Sequence, residues 1–180
     1  MNPPASHCPE LFVTNFHRRF TGVSATADAV VSKQLGQFDL RLVGDPMPNG
    51  PEPISFGRAI RLCRRPPKNR PFAIWHVRRN MEMAAALFAR DVLRLPIRIV
   101  FTSAAQRRHS AVPRRLIARM DAVVATTQKA ASFLDHAAAV APHGVDTSLF
   151  TPAADRRQAW QATGWPGDYG IGIVGRIREE

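Results

Sequence analysis

One histidine of this chain occupies a position where α/β proteins commonly carry out chemistry. His76 directly follows an apolar run at residues 72–75 that is typical of a buried strand. In open α/β sheets, ligands bind beyond the carboxyl ends of the strands. An imidazole at such an end can hydrogen-bond a substrate hydroxyl or a group that develops charge. The alternative is a purely structural histidine, which is the commoner case for a lone residue.

The loop at residues 15–24 has the composition of an anion-binding turn. Gly22 stands just before a predicted helix, where backbone N–H groups and the helix dipole attract negative charge. Arg18 and Arg19 add two cations to the same loop. The alternative is a plain strand-to-helix turn that needs glycine only for its geometry.

A third candidate is a group of arginines that follows the predicted strand at residues 97–101. Its members are Arg107, Arg108, Arg114, Arg115 and Arg119. They predict recognition of phosphate or contact with an anionic membrane surface. A solvated helix face has the same pattern, and the sequence leaves these alternatives open.

Several motifs of other enzyme classes are missing or out of context. Residues 170–175 match G-x-G-x-x-G, but the glycines lie inside a predicted strand, so we reject a dinucleotide site. The sequence has no Asp-x-Asp pair, which argues against metal-dependent transferases of the other major fold. It also has no Walker A loop, no G-x-S-x-G elbow and no Cys/His metal spacing.

Strands and helices alternate along the sequence, which predicts βαβ units, a parallel sheet and an α/β fold. The predicted strands cover residues 11–14, 38–43, 72–75, 97–101, 122–125 and 138–141. The predicted helices cover residues 24–35, 54–63, 80–93, 112–120 and 128–134, with Ser24 and Asn80 as N-caps. A further helix at 155–162 and a strand at 171–174 are expected to begin a second, incomplete domain.

Composition indicates a globular protein with an unusual charge. The net charge is +11, and only Lys33, Lys68 and Lys129 are lysines among the 25 basic residues. Coding bias in a GC-rich genome or attraction to polyanions would each explain this excess of arginine. Cys8 and Cys63 are too few for a disulfide framework, and no apolar run reaches the length of a membrane span. We therefore expect a cytoplasmic protein without a secretory signal.

The chain resembles family 4 glycosyltransferases of the GT-B fold, and in particular the lipopolysaccharide core mannosyltransferases of Gram-negative bacteria. The matching segments run in order along nearly the whole chain. They lie at residues 20–26, 74–83, 90–94, 101–107, 119–127, 143–146 and 175–176.

This resemblance implies two Rossmann-like domains and a metal-independent transfer of a hexosyl group with retention of configuration. The donor would be a nucleotide sugar, with GDP-mannose expected, and no separate cofactor. The resemblance implies that His76 lies near the transferred sugar and that Gly22, Val23 and Arg176 approach the donor phosphates. The residues expected to contact the acceptor or another anion are Arg18, Arg19, Arg78 and Arg107.

By the same resemblance, residues 1–146 form the N-terminal, acceptor-side domain, and residues 147–180 form a linker and the start of a donor-binding domain. The lysine that partners Arg176 and the paired-glutamate segment would lie beyond Glu180, so we expect these 180 residues alone to be inactive. The expected partners are a nucleotide sugar, a lipid-linked saccharide and an anionic membrane surface, without nucleic acid. The alternative is a non-enzymatic basic domain that binds an anionic glycolipid, a membrane surface or another polyanion.

Overall fold

A computed structural model describes residues 7–135, 138–148 and 150–172. It shows a sheet of six parallel strands flanked by helices, which confirms the predicted α/β, Rossmann-like class. The strand order is β2-β1-β3-β4-β5-β6. The strands are Leu11–Asn15 (β1), Leu40–Gly44 (β2), Ala73–Val77 (β3), Ile97–Ser103 (β4), Ala122–Ala125 (β5) and Ala139–Val140 (β6).

In the described part of the chain, five helices connect these strands as the alternating pattern predicts, and a sixth follows β6. They are Gly22–Gln34 (α1), Phe56–Leu62 (α2), Asn80–Leu87 (α3), Ala111–Ile117 (α4), Gln128–Ser132 (α5) and Arg156–Ala162 (α6). The helix predicted over residues 80–93 is α-helical only to Leu87, and it continues as a π-helical turn over Phe88–Val92. Arg94 then follows with a φ of 54°, a left-handed conformation that ends the helical path.

The core lies mainly on one face of the sheet. Phe12, Trp75 and Ile99 point from β1, β3 and β4 into it, and Met83 and Ala86 of α3 cover them. A smaller cluster on the other face packs α1 against β1 and β2. β1 is buried along its whole length, since helices cover both of its faces. This central, rigid strand leads directly into the loop at residues 16–21.

Several predicted element boundaries are wrong at the carboxyl edge of the sheet, and two of them concern candidate site residues. β3 extends to Val77, so His76 lies within the strand rather than after it. α1 begins at Gly22, and its N-cap is Thr21 rather than Ser24. Both shifts move the end of the regular structure relative to the candidate site residues.

The residue contacts divide the chain between His143 and Gly144 into two units. In the second unit, Asp155 caps α6 through its carboxylate, which accepts from two backbone N–H groups. The indole of Trp160 lies so close to Gly170 that a Cβ there would stand 2.6 Å from the ring. Ile171 and Gly172 are not in a strand, and the rest of the strand predicted over 171–174 lies outside the described residues.

The structure also bears on membrane insertion. Within the described ranges, no helix has both the length and the apolar character that a bilayer crossing requires.

Truncating a buried and an exposed methionine of α3 should have different effects on the free energy of unfolding. Met83 is completely buried, so Met83→Ala should lower the free energy of unfolding by about 2–5 kcal/mol. Met81 is 72% exposed on the same helix, and Met81→Ala should change that free energy by less than about 0.5 kcal/mol. Urea-induced unfolding measures both, and equal losses would contradict the packing of α3.

Candidate functional site

A fully buried carboxylate organises the carboxyl edge of the sheet. One oxygen of Glu82, Oε2, accepts from the Thr14 hydroxyl at 3.1 Å and from the Arg78 backbone N–H at 2.8 Å. The other, Oε1, accepts from the Phe16 backbone N–H at 3.3 Å and from Arg79 Nη1 at 3.1 Å. A buried charge is tolerated when it is paired and its lone pairs are filled. Glu82 meets both conditions.

The local sequence explains why Glu82 points back towards the strands. α3 has Arg79 as its N-cap, not the predicted Asn80, and the Arg79 side chain makes no cap hydrogen bond. Glu82 stands three residues after this cap, where a glutamate can reach back to a free backbone N–H at the helix start. It bonds the N–H of Arg78, one residue before the cap. Its charge also suits the positive end of the helix dipole.

The guanidinium of Arg79 joins this carboxylate to the start of α1. Its Nη1 atom donates to Asn15 Oδ1 and to Glu82, both at 3.1 Å. Its Nη2 atom donates to Thr21 Oγ1 at 3.3 Å and to Ser24 Oγ at 2.9 Å. The two loops that follow β1 and β3 are therefore connected through one side chain.

The first residues of α1 are open to ligands. Gly22 and Val23 are exposed, and a Cβ placed on Gly22 would meet nothing within 4 Å. Thr21 has the extended backbone of an N-cap but makes no side-chain cap bond. Its hydroxyl accepts from Arg79 instead. The first N–H groups of a helix have no acceptor within the helix, which suits an anion, and the predicted contact of Gly22 and Val23 with donor phosphates stays a prediction.

His76 is hydrogen-bonded at both ring nitrogens. Its Nε2 lies 2.7 Å from Thr102 Oγ1, and its Nδ1 lies 3.4 Å from Arg78 Nη2. Because a guanidinium only donates, Nδ1 must accept, and the ring proton is therefore on Nε2. Burial and the Arg78 charge lower the pKa of His76 to about 3. The ring is neutral at physiological pH and suits hydrogen bonding rather than proton transfer.

Arg78 is a largely buried cation with unused donors. Burial lowers its pKa to about 10, so it stays protonated at neutral pH. Its Nε and Nη1 atoms are buried, and among the described residues they have no hydrogen-bond partner. Buried donors are nearly always paired in native proteins. A ligand oxygen or a water molecule at this position would therefore bind favourably.

The remaining predicted site residues are spread more widely. Arg18 and Arg19 are exposed in the loop before α1, and Arg107 is exposed after β4. Within the described part of the chain, no hydrogen bond or ion pair joins these three side chains to His76 or Arg79, so their predicted anion contacts stay predictions. Arg176 lies outside the described residues.

The arginine group after β4 is only partly available to an external anion. Arg108 and Arg114 both pair with Asp135, and Arg119 pairs with Asp91. Hydrogen bonds from Arg114 and Arg108 lower the pKa of Asp135. Arg90, together with Arg119, lowers the pKa of Asp91. α4 also ends at Ile117, so the expected helix face shared by Arg119 and its neighbours does not form.

Sequence analysis missed the residues that connect the site. Glu82 and Arg79 were part of a matching segment but were not singled out, and Thr102 and Thr21 were not considered as partners. One signal was present: a glutamate in the first turn of a predicted helix that follows a strand is typical of an N-terminal capping interaction.

Comparison with known proteins confirms the predicted resemblance. The chain is 41% identical over 174 residues to the lipopolysaccharide core biosynthesis mannosyltransferase LpsB of Rhizobium meliloti (strain 1021). It is 38% identical over 172 residues to the lipopolysaccharide core biosynthesis mannosyltransferase LpcC of Rhizobium leguminosarum bv. viciae. Each match covers 95% of this chain and 49% of the relative, so the chain spans about half the length of these relatives. No protein-family model matches the chain.

The neutral state of His76 should make stability depend on pH. The unfolded chain binds this proton near pH 6.5 and the native chain near pH 3, so the unfolded state holds more protons between these values. The contribution of neutral His76 to the free energy of unfolding is complete above about pH 6.5. It is lost as the pH falls towards 3, by up to about 1.4 kcal/mol per pH unit.

Urea-induced unfolding at pH 7, 5.5 and 4.5 measures this effect against His76→Asn, which should lose less stability over the range. A native-state ring that titrates near 6.5 by NMR would contradict the burial of His76.

Proposed function

Because the chain is homologous over 95% of its length to lipopolysaccharide core mannosyltransferases, we propose that it forms one domain of a glycosyltransferase. The proposed reaction moves mannose from GDP-mannose to a lipopolysaccharide core or another lipid-linked saccharide. It proceeds with retention of configuration and without a bound metal. The six-stranded parallel sheet is consistent with one half of a two-domain GT-B enzyme.

The observation that carries this proposal is the arrangement of donors at one edge of the sheet. The exposed residues Gly22 and Val23 begin α1, and Arg78 follows β3 with buried Nε and Nη1 donors that have no partner among the described residues. Sugar transfer leaves a nucleoside diphosphate on which negative charge grows. Fixed hydrogen-bond donors and helix N-termini stabilise such charge in the transition state.

His76 has a different role in the proposed reaction. A neutral ring with a pKa of about 3 is a poor general acid or base at neutral pH. It can still orient a sugar hydroxyl by a hydrogen bond, since the 3.4 Å contact from Arg78 to Nδ1 is long and easily replaced. The proposed role is therefore to position the transferred sugar.

The acceptor and the membrane are proposed to lie on the exposed basic side of the loops. Arg18, Arg19 and Arg107 are exposed and would attract acidic sugars or anionic headgroups. The corresponding location is the cytoplasmic face of the inner membrane. Arg176 and the half of the longer relatives that this chain does not cover would supply the donor-binding half.

A second candidate is a non-enzymatic domain that binds an anionic glycolipid or another polyanion. The net charge of +11 favours it. Such binding would weaken steeply with salt and would not distinguish between polymers of equal charge. The homology to transferases makes it the weaker candidate.

The test is a transfer assay with the longest natural polypeptide that contains this sequence. Purified protein is incubated with a lipid-linked core acceptor and either GDP-mannose, GDP-glucose or UDP-glucose, with and without EDTA. We expect transfer from GDP-mannose that survives EDTA. His76→Ala should lower kcat about tenfold to a hundredfold, the effect of one lost transition-state hydrogen bond.

His7→Ala is the matched control, because His7 pairs with Asp39 before β1 and β2, at the other edge of the sheet. It should leave kcat unchanged. The 180-residue chain alone should transfer no sugar above background. Absence of mannosyl transfer by the long polypeptide would overturn the proposed reaction, and robust turnover by the 180 residues would overturn the need for a second half.

A further inference from the structure

We infer that Arg79 and Glu82 are positioning residues that fix the loop between β1 and α1 in its ligand-binding conformation. This inference rests on the proposed function, because it assigns the loop to the diphosphate of a nucleotide sugar. Neither side chain needs to touch that diphosphate. They act through the residues at the start of α1.

The first step is that the loop is held from the β3 side. The backbone N–H of Phe16, at the start of the loop, donates to Glu82 Oε1. The hydroxyls of Thr21 and Ser24, at its end, accept from Arg79 Nη2. Both ends of the loop therefore depend on two side chains at the start of α3, the N-cap residue Arg79 and Glu82 of the first turn.

The second step is electrostatic. The guanidinium of Arg79 lies against the N-terminus of α1, where the helix dipole is also positive. The Arg79 charge and the positive end of the α1 dipole repel each other unless a counter-charge is present. Glu82 supplies it, with Oε1 3.1 Å from Arg79 Nη1 and a completely buried side chain. The negative charge of Glu82 thus offsets the repulsion between Arg79 and the start of α1, so the guanidinium can stay beside the first turn of the helix.

The third step concerns the hydroxyl protons. A guanidinium donates and never accepts, so Thr21 and Ser24 use oxygen lone pairs towards Arg79. Their O–H protons must therefore point away from Arg79. The two oxygens lie 3.4 Å apart, so one hydroxyl can donate to the other, which leaves the second proton for an outside acceptor. This arrangement leaves one hydroxyl donor for an oxyanion.

The fourth step explains why arginine is needed. Nη1 and Nη2 bond groups on different segments, Asn15 and Glu82 on one side, Thr21 and Ser24 on the other. A lysine ammonium keeps the charge but is a single point and lacks this fork. Arg79→Lys therefore separates positioning from charge.

The experiment compares Arg79→Lys, Ser24→Ala and the double variant in the longest natural polypeptide that contains this sequence. Affinity for GDP is measured by calorimetry, and amide hydrogen exchange is followed by NMR or mass spectrometry at residues 16–24. Arg70→Gln is the matched control, because Arg70 is an exposed arginine that pairs with Glu10, which precedes β1 at the other edge of the sheet.

Arg79→Lys should weaken GDP binding about tenfold, the effect of losing hydrogen bonds that involve a charged group. It should also speed exchange at residues 16–24 and leave exchange in β5 unchanged. Ser24→Ala should weaken binding less, and the double variant should bind no worse than Arg79→Lys, because both changes break the same contact. Arg70→Gln should match wild type in each measurement.

Two results would overturn the inference. One is unchanged GDP affinity and unchanged exchange in Arg79→Lys. The other is a double variant whose loss equals the product of the two single losses, because independent sites add. Failure of the proposed function is seen separately, since wild-type protein would then bind no GDP while the exchange comparison would still report on the loop.

Discussion

The arrangement of the site depends on the hydrogen bonds and the ion pair that neutralise one buried carboxylate. Glu82 is completely inaccessible to solvent, yet its two oxygens accept four hydrogen bonds from β1, the loop after β1 and the turn after β3. An unpaired buried charge costs several kcal/mol, so these segments must remain close for the fold to be stable. The candidate site at the edge of the sheet follows from this requirement.

This constraint shapes the chemistry that the site can perform. Arg79 fixes the start of α1, Arg78 retains unused buried donors, and burial keeps His76 neutral. Rigid donors around a neutral imidazole favour recognition of an oxyanion and of hydroxyl groups. They do not favour proton transfer. The same properties are those that a transferase needs when its leaving group gains negative charge.

The sequence predicted the sheet because its strands are apolar runs that are separated by helical segments, and these patterns are local. It missed the N-cap of α1, because Thr21 bonds to Arg79, a residue 58 positions away. It placed His76 after β3, because the strand continues past the apolar run to Val77. It overestimated the number of unpaired arginines after β4. Asp135 pairs with Arg108, and Asp91 pairs with Arg119, although both aspartates are distant in sequence. Local periodicity carries no information about such distant contacts.

The most direct test is hydrogen exchange of Glu82→Gln, which keeps the shape of the side chain and removes its charge. We expect amides of the loop after β1 and of the turn after β3 to lose protection together, while those of β5 keep theirs. Glu52→Gln, at an exposed glutamate, should leave the whole pattern unchanged. Loss of protection confined to α3, with the loop after β1 unaffected, would contradict the view that one carboxylate holds the site together.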